Sequence, residues 1–260
     1  MMNKSIVVSQ VDGVCTIALN RPEVFNSFDQ GMGKAFQRAL DDAAEAPEVR
    51  CVVITGSGKA FCAGQDLKEV TAPDAPDFTH IVENTYNASI RRIRNMEKPV
   101  VGAINGVAAG AGANIALACD LTIAKSSVKF IQAFSKIGLI PDSGGTWMLP
   151  RLVGMQRAAA MAFFGEPVLA SDAEAMGLIY KSVADEMFEE EVAALATRLA
   201  SLPTYGLGLT KKAFNLGLDS DLSSHLTTER DLQMKASQSD DYAEGVASFL
   251  EKRKPSFQGK

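Results

Sequence analysis

Histidine is nearly absent, with two in 260 residues, His80 and His225. Two imidazoles cannot furnish a metal centre with several histidine ligands, and they leave little room for a histidine-based nucleophilic triad. Cysteine is also scarce. Cys15, Cys51, Cys62 and Cys119 never fall in a CxxC pair, and residues 1–10 lack the apolar stretch of a secretory leader. Reduced thiols in a cytoplasmic protein are therefore expected. A surplus of one charge is missing too: Lys+Arg 26 against Asp+Glu 31 gives −5. That balance, evenly spread, is a poor match to a nucleic-acid surface. No Pro/Gly/Ser linker, short repeat, low-complexity tract or charge block interrupts the chain.

Long apolar runs are represented by a single stretch. Residues 100–119 carry no charge, and Gly102, Gly106 and Gly110 recur at the four-residue spacing of a membrane helix pair. Asn105, Asn114 and the Gly/Ala content keep its mean hydropathy low. A strand, a tight turn and a buried helix inside one domain fit it better than a span, so no membrane partner is expected.

What is present is the mix of a globular protein, 47% hydrophobic and 22% charged. A chain of this length buries roughly three quarters of its unfolded surface. Residues 6–10 and 15–19 read as strands flanking Val11-Asp12-Gly13, a hairpin turn, and residues 51–55 as a buried strand. Between them residues 29–46 carry Met32, Phe36, Ala39, Leu40 and Ala43 at helical spacing and stop before Pro47. The theme repeats. Phe78, Ile81, Val82, Tyr86, Ile90 and Ile93 share one predicted helix face; residues 100–104 read as strand, 111–119 as helix, 121–124 and 128–131 as strands. From about Arg157 the pattern is mostly helical, with Ser171-Asp172-Ala173-Glu174 as a capping box and helices near 186–201, 206–216, 222–237 and 241–252. The expectation is an α/β core over residues 1–200 with a helical C-terminal subdomain over 201–260, used for subunit contacts or to lid a site.

Three segments place glycines and free amides just beyond predicted strands, where open sheets form ligand sites. The first is Gly58-Lys59-Ala60-Phe61-Cys62-Ala63-Gly64-Gln65-Asp66-Leu67. The second, Asn105-Gly106-Val107-Ala108-Ala109-Gly110-Ala111-Gly112-Ala113-Asn114, opens a helix whose N-terminal amides suit an anion or a developing oxyanion. It matches neither GxxxxGK[ST] nor GxGxxG, and tight strand-to-helix packing explains its composition equally well. The third is Ile137-Gly138-Leu139-Ile140-Pro141-Asp142-Ser143-Gly144-Gly145-Thr146-Trp147. Asp142 stands among apolar residues, where a carboxyl with little water nearby becomes a better proton acceptor and donor at neutral pH. The same Pro-Asp-Ser-Gly-Gly also fits a plain turn in which Asp142 or Ser143 caps the next helix.

Taken together, in this order, the segments resemble the enoyl-CoA hydratase/isomerase (crotonase) superfamily over nearly the whole chain. Asn20-Arg21-Pro22 with Asn26-Ser27-Phe28 looks like its opening motif, Phe61 to Leu67 like its first oxyanion loop and Asn105 to Asn114 like its second. The resemblance implies a crotonase-like spiral of repeated ββα units, a homotrimer or dimer of trimers held by C-terminal helices, and an acyl-CoA substrate. It implies no resident cofactor, coenzyme A entering as part of the substrate. The amides of Gln65 and Ala111 would form the oxyanion hole. Ala63, Asp66 and Leu67 would line the adenine and pantetheine path, with Lys68 and the basic stretch Lys252, Arg253 and Lys254 placed for coenzyme A phosphates.

Departures from the hydratase pattern bear on the reaction. At the two positions where hydratases carry water-activating glutamates, this chain looks to have Asn114 and Phe134, neither of which is a base. Phe134 would instead form an apolar wall for the acyl group. One carboxylate, Asp142, is left opposite the oxyanion hole, and a single base suits removal of the proton alpha to the thioester and its return further along the conjugated system. Within the superfamily the third segment, Pro203-Thr204-Tyr205-Gly206-Leu207-Gly208-Leu209 and Glu229-Arg230-Asp231 look most like the phenylacetate-degradation branch. That branch turns a ring epoxide of phenylacetyl-CoA into the oxepin thioester and shifts 3-enoyl double bonds to position 2. A general fatty-acid 3-enoyl-CoA isomerase, a hydratase-like enzyme and a non-catalytic acyl-CoA binding subunit are the competing expectations.

Overall fold

The computed structural model describes residues 5–260; residues 1–4, on which part of the leader expectation rests, lie outside it. The chain opens on a hairpin of β1 (Ile6–Val11) and β2 (Val14–Leu19), turned by Asp12 and Gly13 in left-handed conformations of φ 47° and 80°. Both central residues at positive φ make the turn whose twist matches the strands. Helix α1 (Gln30–Glu45) follows, its first turn capped by the Asp29 carboxylate, which accepts from the Met32 amide at 2.7 Å.

The next turns of the chain repeat one plan. β3 (Cys51–Gly56) and β4 (Ala60–Cys62) lead through α2 (Leu67–Val70) into α3 (Phe78–Ile81), a π-helical segment Val82–Asn87 and α4 (Ala88–Asn95). β5 (Val100–Ile104) and β6 (Val107–Ala109) lead into α5 (Ala111–Ala118), and β7 (Leu121–Lys125) and β8 (Lys129–Ile131) into α6 (Gly145–Phe164). In each repeat the first strand joins a large sheet of order β1-β2-β3-β5-β7-β10, parallel from β2 onward. The second strand joins a small sheet of order β4-β6-β8-β9. This is the expected spiral of ββα units. The sheets are completed by β9 (Val168–Leu169), then α7 (Ala170–Ala175) and β10 (Lys181–Val183).

The large sheet is covered on both faces, which is why its central strands read as continuous apolar runs. Val52, Ile54, Val100 and Ile104 face the main core with α1 and α5. Cys51, Val53, Val101, Ala103 and Ile123 face Phe188, Ala196 and Ala200 of α8 (Phe188–Ala200). α9 (Thr204–Gly217), α10 (Leu222–Ala236) and α11 (Asp240–Leu250) complete a helical C-terminal region. Lys211 pins α9 to the core, its Nζ bonded to the Ile93 carbonyl at 2.7 Å and to Asp120 at 2.8 Å.

The uncharged run at residues 100–119 is β5, β6 and α5, and among the described residues no helix is long and apolar enough to cross a membrane. Three local expectations are corrected. The helix face starting at Phe78 is interrupted by the π segment, so Phe78 is exposed while Ile81, Tyr86, Ser89 and Ile93 are buried. One extra residue in a turn rotates the following face by roughly 100°. The capping box at Ser171 does not form: the cap position is Leu169, two residues earlier, without a side-chain cap, and Glu174 accepts from the Ser182 amide at 2.8 Å. Pairing of β8 with β9 and a bond from the Ala170 amide to the Val128 carbonyl set that earlier start. The helical structure expected from about Arg157 begins already inside the third segment, at Gly145, with a break at Gly154 (φ 76°, ψ 162°).

Candidate active site

The parallel pairing of β4 with β6, Cys62 opposite Ala108, brings the first two glycine-rich segments side by side. Their glycines are required by this closeness. Gly64 has φ 95°, and a methyl group on it would lie 3.1 Å from the Ala109 carbonyl oxygen and 3.6 Å from the Ala111 nitrogen. A methyl on Gly112 would lie 2.3 Å from the Cys62 carbonyl oxygen. Gly110, at φ 54° and ψ −128°, turns the chain into α5, so the Ala111 amide opens that helix. On the other loop, the Gly64 carbonyl and the Asp66 amide both bond Phe28, at 2.8 Å each. Strand alternation aims the intervening Gln65 amide away from Phe28. Among the described residues neither the Gln65 nor the Ala111 amide has an acceptor.

The first loop is braced from below by the opening motif. Asn26, fully buried at φ 56°, donates to the carbonyls of Ser57 (3.0 Å) and Ala60 (2.8 Å) and accepts from the Arg21 amide. Arg21 reaches across to Asp66 at 2.9 Å and to Asp29 at 2.9 Å. Asp66 also accepts from the Lys68 amide at 3.0 Å, so its carboxylate is taken up inside the loop. Ala63, Leu67 and Lys68 are exposed along the outer edge of the same loop.

Asp142 is carried on a turn with two consecutive left-handed residues, Ser143 at φ 52° and Gly144 at φ 76°. Its carboxyl is raised above the usual carboxylate range by burial, against an opposing hydrogen bond from the Ser143 hydroxyl at 2.8 Å. The capping alternative does not hold: Gly144 occupies the cap position of α6 and no side chain caps it. Instead Asn114, one turn into α5 from Ala111, donates to the Asp142 carbonyl at 2.8 Å. That bond places the Asp142 turn over the helix that begins at the free Ala111 amide. Phe134 packs against the same N-terminus, its ring carbon Cζ 3.9 Å from where a methyl on Gly110 would stand.

The expected family accounts for these relationships. Residues 9–260 match the family model described as enoyl-CoA hydratase/isomerase. The chain is 47% identical over 259 residues to the 1,2-epoxyphenylacetyl-CoA isomerase of Escherichia coli K12, covering 98% of each chain. It is 35% identical to the trans-2-decenoyl-[acyl-carrier-protein] isomerase of Streptococcus mutans, covering 99% of each. Its structure superposes on the enoyl-CoA hydratase of Bacillus anthracis with a TM-score of 0.94 at 33% identity, over 98% of this chain and 100% of that one. The chain belongs to the enoyl-CoA hydratase/isomerase family.

Of the residues singled out from the sequence, Gln65, Ala111, Asn114, Phe134 and Asp142 converge on one end of α5. The basic stretch does not join them in any described contact: Arg253 pairs with Glu244 at 2.5 Å and Glu251 at 2.6 Å. Two further residues of this enoyl-CoA hydratase/isomerase family member escape sequence reasoning. Tyr86, buried in the π segment, donates its hydroxyl to the Gln65 side chain at 2.8 Å. Burial first, then Cys62 and Asp142, push its phenol well above the ordinary value, so it stays protonated as a donor. Gln132 donates to Asn114 at 2.8 Å. The five-residue step from Ile81 to Tyr86 was the available signal for the first, and nothing in the local pattern marks the second.

Proposed function

We propose that the chain is an isomerase of CoA thioesters that turns a ring-epoxidised phenylacetyl-CoA into the oxepin thioester and shifts 3-enoyl double bonds to position 2. The observation that carries this is the pairing of one half-buried carboxyl, Asp142, with two unengaged amides at the start of α5; the family resemblance adds that Asn114 and Phe134 take the positions of the hydratase glutamates. Asp142 takes the proton alpha to the thioester, and the electron pair moves to the thioester oxygen, held by the Gln65 and Ala111 amides. The pair returns as the proton is delivered further along the conjugated system. With the epoxide substrate the carbon–carbon bond shared by the epoxide and the six-membered ring also breaks, its electrons joining the ring double bonds to give the seven-membered oxepin. In both cases the product is an isomer and no co-reactant is consumed. Phe134 supplies an apolar wall that suits a carbocyclic acyl group. The 47% identical relative carries the epoxide isomerase name, which supports the carbocyclic substrate over a linear one.

Ala63, Leu67 and Lys68 line the coenzyme A path, Asp66 ordering it through Arg21, and no resident cofactor is called for. The exposed apolar side chains Phe214, Leu222, Leu226 and Phe249 of the C-terminal helices support a homotrimer or dimer of trimers. Light scattering after size exclusion distinguishes these from a monomer.

Deuterium incorporation at the alpha carbon, with turnover of the ring-epoxide thioester and of a linear 3-enoyl-CoA, tests the assignment. Asp142→Asn should abolish exchange and turnover while thioester binding persists. Full activity in that variant rules the proposal out, and turnover of the linear ester alone favours a general 3-enoyl-CoA isomerase.

A further inference from the structure

We infer that Gln132 and Asn114 form a two-amide relay that positions Asp142, making Gln132 a positioning residue for the reaction; this rests on the assignment of Asp142 as proton shuttle. The direction of every bond in the relay is dictated from one end. The Asp142 main-chain carbonyl can only accept, so Asn114 must present its Nδ2 to it, at 2.8 Å. That choice turns the Asn114 Oδ1 toward Gln132, which must answer with Nε2, also at 2.8 Å. The Gln132 Oε1 is then left buried with no hydrogen-bond partner among the described residues. Both amides are essentially inaccessible to solvent. A buried acceptor without a partner is costly, and inverting Gln132 to relieve it would set two oxygens face to face at Asn114.

The relay also has no slack. A methyl group on Gly145, the residue whose amide closes the Asp142 turn at 2.8 Å, would stand 2.3 Å from the Asn114 Nδ2. Asn114 is thus wedged between the first turn of α5 and the Asp142 turn, and Gln132, at the end of β8, fixes which way its amide faces. Asn114, which the family resemblance places at a hydratase glutamate position, serves here as a strut for Asp142.

Gln132→Met keeps the length of the side chain and removes both the donor and the orphaned oxygen, so folding should survive, as thermal unfolding will show. Expected is a fall in kcat of between about 10- and 100-fold with KM nearly unchanged, the signature of a reacting group held slightly out of place. Asn114→Ala should lower kcat further. Because Gln132 acts through Asn114, the double variant should be no slower than Asn114→Ala alone. Amide hydrogen exchange over residues 139–147 of the ligand-free protein should speed up in both single variants. Unchanged kcat with unchanged exchange in Gln132→Met overturns the relay, as does a double variant whose loss is the product of the two singles. Faster exchange with wild-type kcat upholds the tether and removes Asp142 as the base.

Discussion

Tyr86 holds Gln65 through a 2.8 Å hydrogen bond from its phenol to the side-chain carbonyl. The Gln65 side-chain Nε2 continues to Glu69 at 2.9 Å, and the other Glu69 oxygen accepts from the Gln30 backbone amide at 2.9 Å. The residue proposed to present an oxyanion amide is therefore clamped from α1 to the π segment. Tyr86→Phe removes only the hydroxyl and keeps the ring against Phe28, whose centroid is 6.0 Å away. A single hydrogen bond is worth about 0.5–1.5 kcal/mol net, so kcat/KM should fall by up to roughly tenfold while circular dichroism stays native. Wild-type kcat/KM in the variant would show that Gln65 is fixed by its backbone alone.

Asp142 makes linked predictions for rate and stability. Burial raises its carboxyl above the usual range, with Ser143 opposing. As a base it must be ionised, so the acid limb of the kcat/KM profile should lie above the pH at which an ordinary aspartate titrates. A group with a raised folded-state pKa binds its proton more tightly in the native protein. Its stabilising contribution is present below the unfolded value and lost as pH rises through the folded one. Asp142→Asn should therefore be more stable than wild type at pH 7, with the gap closing as pH falls toward the ordinary aspartate range. Chemical denaturation at several pH values measures it, and a gap that widens in acid contradicts the assignment.

The β-hairpin, the parallel strands and the two glycine-rich loops were legible because each depends on neighbours in sequence: turn residues, apolar alternation, glycines at a strand end. Asp142 was visible as an acid among apolar residues, yet whether it caps the next helix was not, since its turn is held by the bond from Asn114, 28 residues earlier, and no side chain caps α6. Tyr86 and Gln132 stayed hidden for the same reason. A π turn changes the helical phase by tertiary demand, and a buried glutamine is chosen by a partner that no local periodicity reveals. The failed Ser171 capping box is the converse, a good local signal overridden by the β8–β9 pairing.

Gly112 is where the two loops meet, and its lack of a side chain is a geometric requirement. Gly112→Ala would set a methyl 2.3 Å from the Cys62 carbonyl oxygen and 2.8 Å from its Sγ, both fully buried. Overpacking of this kind costs about 1–3 kcal/mol, and relief by moving α5 carries the Ala111 amide away from Gln65. Activity should fall more than stability does. Gly206→Ala is the control: its methyl would meet nothing nearer than the Pro203 Cβ at 4.0 Å, in a helix where alanine is favoured by up to about 1 kcal/mol. Equal losses from the two substitutions would remove close approach as the explanation.

Arg50 ties the end of the chain to the sheet. Its guanidinium donates to the carbonyls of Leu202 and Phe257 at 2.6 Å each and to the Thr204 hydroxyl at 2.9 Å. The last residues are held from a second side by Asp241, which accepts from the amides of Gln258 (2.6 Å) and Gly259 (2.8 Å). Hydrogen bonds to a charged group contribute about 1.5–3 kcal/mol, and three donors on one fork are not additive, so a loss of about 2–4 kcal/mol is expected from Arg50→Ala. For a chain of this size that corresponds to a fall in Tm of roughly 5–15 °C. Arg50→Lys keeps the charge and loses the planar fork, so it should recover only a minor part of the loss. Limited proteolysis should cut first after α11 in both variants, because the tail then relies on Asp241 and on Glu244, which accepts from the Ser256 amide at 2.7 Å. A wild-type cleavage pattern in Arg50→Ala would mean that the Asp241 and Glu244 bonds suffice to hold it.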